Sequence, residues 1–453
     1  MRRSGFIFAI SFVVFNLNLR PIPSGDTAPA ALLPLSLVAA HTTTLDRFAA
    51  WYRDTGFTNT AWFTRSVDGH YYSSFPIAVP LLVTPLYAPF AFLDFRHMPA
   101  GQVILLARVL EKISASLIAA LSVVAFFHLI GKLADTSCAW LLTVAYAFGS
   151  PTWAISSQAL WQHGPSELAL ILGLLLLIET TANPSRVLVA ALAGCSAGFA
   201  AAIRLSNLWP CVLMGAYVAL AKWPSRSKSA FAAGALLPLL AVLAYNLRIF
   251  GSAFGTYPAA WLLEGNLFEG VTGLLFSPSR GLFIFCPIFL FSVLGAFLWF
   301  RDPKMSHPRV YLICLLAAAA HLLFLAKFRL WWGGYCYGPR VLTDVVPCLV
   351  ILMIPAVRLL NNSRVWKAAF AMALAFSISV QAVGAFCYPN GHWDALPRSV
   401  DEQPQRLWDW RDNQIARSVS AGPVLLPYRL AWVSVTHPAS LSETLRHDGV
   451  TLW

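Results

Sequence analysis

Apolar runs long enough to cross a lipid bilayer recur along this chain, each closed by basic or turn-forming residues, and they leave it one class of fold. The run from Val365 to Cys387 has Lys367 as its one charged residue, and the run from Val103 to Gly131 has Arg108, Glu111 and Lys112. A hydrocarbon core about 30 Å thick takes about twenty apolar residues in a helix, which pairs its own backbone groups where no water can. Of the 453 residues, 58% are hydrophobic and 11% charged, where a soluble domain has about a quarter charged.

The expected fold is therefore all-α and polytopic, with about eleven transmembrane helices. They are Phe6 to Leu19, Val103 to Gly131, Cys138 to Gly149, Pro165 to Thr181, Val187 to Ile203, Leu205 to Ala221, Ser229 to Arg248, Gly281 to Phe300, Arg309 to Ala326, Arg340 to Leu360 and Val365 to Cys387. Orientation follows the basic residues of short loops. The clusters Lys222/Arg226/Lys228, Arg301/Lys304/Arg309 and Arg364/Lys367 set the cytoplasmic side, giving an N-terminus inside and a C-terminus outside a plasma (inner) membrane. The net charge of +12 thus implies no nucleic acid, and membrane lipids are the surrounding partners. Ala28-Pro29-Ala30 lies too far beyond the first apolar run to read as a signal-peptide cleavage site, so that run is expected to stay as the first helix.

Residues 1–387 form the expected membrane module, with a long outer loop over residues 21–102. Within that loop, Ala30 to Ala40 and Leu45 to Tyr52 read as short interfacial helices. Pro76 to Phe95 is apolar enough to span but carries prolines at 76, 80, 85 and 89. Because the next helix must run inward, this stretch has to start and finish outside, as a juxtamembrane or re-entrant helix. Residues 388–453 form a small extracytoplasmic appendage whose Trp393, Trp408 and Trp410 read as interfacial anchors ahead of sugar-stacking platforms.

Eight cysteines lie scattered, without CxxC spacing or histidine partners, as small buried hydrophobes do. Cys336 and Cys387 both fall on the outer side, and their pairing stays open. No metal ligands are assigned. No compact carboxylate cluster asks for a divalent ion, although metal dependence stays open.

Three outward helix starts share one pattern of polar residue, Gly or Pro, and a charged or hydrogen-bonding side chain: His163-Gly164-Pro165, Ser277-Pro278-Ser279-Arg280 and Gly338-Pro339-Arg340. A helix start carries free N–H groups and partial positive charge, so a guanidinium there makes an anion site. Lys112, Arg108, Arg204, Arg248 and Arg329 add cations at the same face, where short loops should have few. The plainer reading is ion pairing: Arg340 with Asp344 one turn on, and the other cations with Asp26, Asp46, Glu264 and Glu269. Asp26, just beyond the first helix, reads equally as a general base or as a helix N-cap. Asp46 and Asp68 are weaker candidates, and Asp68 before Gly69 reads as a turn.

These segments together resemble the GT-C type glycosyltransferases that use polyprenyl-phosphate sugars, similar in layout to protein O-mannosyltransferases and lipid A aminoarabinose transferases. The resemblance is carried by Gly25-Asp26-Thr27, Asp68-Gly69-His70-Tyr71-Tyr72-Ser73-Ser74-Phe75-Pro76, Leu160-Trp161-Gln162-His163-Gly164-Pro165, Ala202-Ile203-Arg204-Leu205-Ser206-Asn207, Phe276-Ser277-Pro278-Ser279-Arg280-Gly281-Leu282 and Tyr337-Gly338-Pro339-Arg340. It implies a catalytic acid in the first outer loop and a carrier phosphate held by basic residues at the outer face. Asp26 is then the expected base. Arg340, Arg280, Lys112, His163, Arg204 and Tyr337 are the expected donor-binding set, and Asp46, Asp68 and Asp344 are secondary candidates. The implied partners are the polyprenyl-phosphate-linked sugar as donor and a glycan, lipid or protein acceptor; no cofactor is assigned, and a divalent metal stays open. The chain departs from the family in having one acid after the first helix instead of a pair, and Phe75 where many relatives have Lys before the proline. A transporter or flippase for a lipid-linked saccharide would gather similar cations, but nearer the bilayer midplane. A non-catalytic scaffold would leave them, and Asp26, without a role.

Overall fold

The computed structural model describes residues 2–48, 64–93, 98, 100–256, 263–301, 307–360 and 363–429. After α1 (Arg2–Asn16) and a 3-10 turn (Gly25–Thr27), the first outer segment contains α2 (Ala28–Ala40), a hairpin of β1 (Thr64–Val67) and β2 (His70–Ser73), and α3 (Ala78–Tyr87). The bundle continues with α4 (Ala100–Leu133), α5 (Thr136–Phe148), a π-helical turn (Thr152–Ser156), α6 (His163–Ala182), α7 (Val187–Ile203), α8 (Leu208–Leu220) and α9 (Ser225–Phe250). Then come α10 (Leu267–Phe276), α11 (Leu282–Phe285), α12 (Leu290–Arg301), α13 (Pro308–Ala326), α14 (Val346–Leu352), α15 (Ile354–Leu359), α16 (Arg364–Phe386) and α17 (Gln414–Ala421).

Every expected span falls on helix. Among the described residues, six helices are long and apolar enough to cross a membrane: Gln102–Leu133, His163–Ala182, Ser225–Phe250, Pro308–Ala326, Arg340–Leu359 and Arg364–Phe386. Of the remaining spans, Cys138 to Gly149, Val187 to Ile203, Leu205 to Ala221 and the second part of Gly281 to Phe300 fall on shorter apolar helices, and Phe6 to Leu19 falls largely on α1, which ends at Asn16. Gly281 to Phe300, expected as one helix, is broken at Cys286-Pro287, where proline has no N–H and clashes with the preceding turn. Beyond the break, the Ile288 N–H is taken up by Ser377 Oγ of α16.

Side-chain caps mark several helix starts. Asp135 accepts the Cys138 N–H at the head of α5, and Ser363 accepts the Trp366 N–H at the head of α16. The outer loop also carries a short hairpin that was not among the expected elements. Thr64 pairs with Ser73 and Val67 with His70, around an Asp68-Gly69 turn with φ values of 50° and 81°. Both residues tolerate the left-handed region that a two-residue hairpin turn requires. Helix α10 was also unexpected. Ala30 to Ala40 lies within α2, but residues 49–52 of the second interfacial helix and residues 94 and 95 of the proline-rich run lie outside the described residues.

Two apolar clusters hold the molecule together. One joins α2, α3 and the first half of α4, and the other runs through the rest of the bundle. Helix α9 meets α7 backbone to backbone: a Cβ on Gly194 would come within 1.9 Å of Phe231 O. Close approach of this kind is how helices associate where lipid removes the hydrophobic driving force.

Contacts fix which helix ends lie together. Ser4 Oγ is 3.0 Å from His128 Nε2, and Lys132 pairs with Glu179 at 2.5 Å. The start of α1 and the ends of α4 and α6 therefore share one end of the bundle. At the other end, Asp26 meets Arg340, and His163 and Asn207 both meet Asp344.

Candidate functional site

At that second end, Arg340 opens a 3-10 helix (Arg340–Val345) that runs into α14. Its Nη1 donates to Asp26 Oδ2 at 2.8 Å, its Nη2 donates to Gly333 O, and its guanidinium carbon lies 4.3 Å from the centre of the Trp161 ring. Arg340 is nearly buried, and Asp26 keeps about a quarter of its side chain exposed, at 11% and 24%. An acid and a guanidinium drawn from opposite ends of the sequence thus form one partly open ion pair beside an aromatic face.

The question of the cap is settled by Ser24. Its hydroxyl accepts the Asp26 N–H and, as the N-cap of the Gly25–Thr27 turn, shares a capping box with Thr27. The N-cap position of α2 is Thr27, so Asp26 caps neither element, and its carboxylate reaches Arg340.

Asp344, one turn after Arg340 in sequence, pairs elsewhere. Its Oδ2 lies 2.8 Å from His163 Nδ1, 3.0 Å from Arg204 Nη1 and 3.9 Å from His321 Nε2, while Oδ1 accepts from Asn207 at 3.2 Å. The Arg204 nitrogen lies against the His163 imidazole, 2.7 and 2.9 Å from its two ring nitrogens. Asp344 and His321 are fully enclosed, whereas the Arg204 side chain keeps 14% exposure. His163 and Arg204 thus form a charge-balanced buried cluster with Asp344 instead of a helix start open to an anion.

Three other expected donor-binding residues are engaged inside the protein. Lys112 Nζ donates to Phe15 O at 2.7 Å, Ser157 O at 3.2 Å and Gln158 Oε1 at 2.7 Å. Its ammonium thus ties the last turn of α1 to the π-helical turn. Arg280 donates to Trp332 O, Ser279 O, Gly334 O and Asp394, lying against the Trp393 ring. Burial works against its charge, but Asp394 beside it keeps the guanidinium firmly protonated. Tyr337 is buried against Phe285 and donates its hydroxyl hydrogen to Val380 O. No spacing in the sequence signals these partners, because all but Ser279 lie far away along the chain.

Asp46 caps the hairpin from outside: Oδ2 is 2.7 Å from His70 Nδ1, and Oδ1 accepts the Tyr71 N–H at 2.6 Å. Partial burial pushes its carboxyl up, but these bonds more than offset that and hold it below the usual carboxylate range. Asp68 sits in the hairpin turn. Cys336 and Cys387 are both free thiols.

Sequence reasoning missed Trp161 as the surface under Arg340, and His321 and Asn207 as partners of Asp344. It also missed Glu167, a buried carboxylate accepting hydroxyl hydrogens from Thr152 and Ser156. Leu160-Trp161-Gln162-His163 held the one usable signal, an aromatic next to a helix start. An apolar cleft of about 260 Å³ lies beside the 3-10 helix, lined by Leu275, Phe283, Leu315, Leu322, Leu342 and Val345 among others. None of Arg340, Asp26 and Trp161 is among its lining residues.

No protein-family model matches the chain, and no curated protein does. Among solved structures, the chain is similar to ArnT from Cupriavidus metallidurans bound to undecaprenyl phosphate, at 13% identity and a TM-score of 0.47, covering 92% of this chain and 74% of that one. At that identity and TM-score, the reading of this site rests on its own geometry.

Proposed function

We propose that this protein is an integral-membrane glycosyltransferase that moves a sugar from a polyprenyl-phosphate carrier to a hydroxyl acceptor at the outer membrane face. The observation that carries the reading is the Asp26–Arg340 pair, in which Arg340 heads a 3-10 helix and faces Trp161. Sugar transfer from a phosphate needs a base for the acceptor and fixed positive charge for the leaving group. Asp26 and Arg340 are those two groups.

In the step itself, the acceptor oxygen bonds to the anomeric carbon as its proton passes to Asp26. The bond from the anomeric carbon to the phosphate oxygen breaks, its electron pair stays on the phosphate, and Arg340 balances the charge that develops there. One displacement inverts the anomeric carbon. The cleft along Leu342 and Val345, on the 3-10 helix that Arg340 opens, suits apolar units of the carrier, since burial of apolar surface would hold the lipid while the guanidinium holds its headgroup.

A buried, charge-balanced cluster at Asp344 is the one feature that favours a flippase for the same lipid, because intramembrane ionisable groups often mark transport pathways. Purified protein given a panel of polyprenyl-phosphate sugars and acceptors distinguishes the two. Carrier-dependent transfer or hydrolysis is expected; movement of the intact lipid-linked sugar across proteoliposomes without any turnover would replace this reading with the flippase.

A further inference from the structure

We propose that Arg20 holds the phosphate of a bilayer phospholipid, with an acyl chain of that lipid lying along one exposed face of α1. The proposal does not depend on the transferase reading, because none of the residues involved belongs to the Asp26–Arg340 site.

Each cation of the expected donor-binding set has partners inside the protein. Arg340, Arg204 and Arg280 each meet a carboxylate, and Lys112 meets three oxygen atoms. Arg20, between the end of α1 and the turn that bears Asp26, differs. Its Nη2 donates to Tyr388 O, and among the described residues neither Nε nor Nη1 has an acceptor; Nε is buried, whereas Nη1 is not. The groups that act on its charge are Cys387, Tyr428 and Tyr388, a thiol and two phenols. Burial pulls its guanidinium down to about 10, as expected of a cation set into protein without a counter-charge. An anion at Nη1 would supply that charge.

The surface leading to Arg20 is apolar and open. Phe6, Ile10, Val13 and Leu17 are all exposed, and a spacing of three or four residues puts them on one helix face. Leu17 continues the last turn of α1 through its N–H bond to Val14 O, and Leu19, next to Arg20, is exposed too. At about 1.5 Å per residue the stripe is about 16 Å long. One leaflet of a hydrocarbon core is roughly 15 Å. A cation at the end of a leaflet-long apolar stripe matches a molecule whose phosphate heads an acyl chain, and the planar guanidinium suits phosphate oxygens. A free phosphate would gain nothing from the stripe, and a second protein chain would have to bring a carboxylate to Arg20.

The exit of α1 is held without the charge of Arg20: Asn18 donates to Ala385 O, and Tyr428 donates to Leu17 O. Arg20→Gln and Arg20→Lys should therefore fold. Affinity is read from the concentration dependence of thermal melts in detergent, with three probes: dioctanoyl phosphatidylglycerol, dioctanoylglycerol, which has the tails without the phosphate, and glycerol phosphate, which has the phosphate without the tails. Wild type is expected to prefer the phospholipid to either fragment by about tenfold or more. Arg20→Gln should weaken the phospholipid on the order of tenfold, Arg20→Lys by less, and dioctanoylglycerol should bind all three proteins equally. Equal phospholipid affinity in wild type and Arg20→Gln would overturn the site. Glycerol phosphate binding as tightly as the phospholipid would replace it with a site for a soluble anion. Should Arg20→Gln fail to fold, Leu17→Asn interrupts the stripe and leaves Arg20 in place. That variant is expected to weaken the phospholipid and leave glycerol phosphate unchanged, and unaltered phospholipid affinity in it would overturn the proposal.

Discussion

Gln414 grips the backbone on both sides of Tyr337: its Oε1 accepts the Gly338 N–H and its Nε2 donates to Cys336 O, each at 2.8 Å. Gln414 is the first residue of α17 and is fully buried. The segment after α16 is thereby fastened to the loop that delivers Arg340, an attachment that Arg280–Asp394 and Ser277–Leu407 reinforce. Gln414→Ala leaves two buried backbone groups unpaired, at about 1–3 kcal/mol each. A clear drop in thermal stability is expected in detergent, together with weaker carrier binding.

Gly338 has φ of 55°, and a Cβ there would meet Phe285 Cδ1 at 2.5 Å. Gly338→Ala combines left-handed strain with overpacking, about 1–3 kcal/mol from each source. Phe285→Leu in the same chain should recover the packing part and not the strain, which a comparison of the melts of single and double variants tests.

Arg340→Lys keeps a charge but loses the planar fork that reaches Gly333 O and Asp26 together. Turnover is expected to fall at least roughly tenfold with lysine, and further with Arg340→Ala. Wild-type carrier affinity in Arg340→Ala would remove Arg340 from the site.

Asp344→Asn strips the counter-charge from Arg204 inside a closed cluster. Breaking a buried pair from one side costs about 3–5 kcal/mol, so the variant should express poorly or melt early. Arg204→Met with Asp344→Asn removes both charges and should recover much of that loss, as read by the same melts.

Because Asp46 is held below the usual carboxylate range by Tyr71 N–H and His70, its contribution is present above the unfolded value of about 4 and is lost as pH falls through the lower folded value. Hydrogen-exchange protection over residues 64–73, taken relative to the intrinsic rate at each pH, should therefore fall as pH drops below about 4. In Asp46→Asn the hairpin should show little such change.

Hydrophobic runs announced the spans, because period and length are local properties. The Asp68-Gly69 turn was equally readable, since both residues favour the backbone it needs. Helix breaks were harder: Pro287 interrupts an apolar stretch that composition alone would carry through, and Ser377, which takes up the next N–H, lies 89 residues away. For the site, Asp26 and Arg340 were recognisable as chemistry, but not as partners. Arg280 shows why the remainder was hidden. A cation at a helix start looks like an anion site until the fold brings in Asp394, 114 residues later.

Asp26 and Arg340 stand 314 positions apart, Asn18 donates to Ala385 O across 367, and Tyr428 donates to Leu17 O across 411. During synthesis, the first helix must therefore wait in the bilayer until nearly the whole chain has been threaded before it finds these neighbours. A chain that stops short of α16 still carries Asp26 and Arg340 but lacks the ties of Asn18 to Ala385 and of Leu17 to Tyr428 that hold the exit of the first helix.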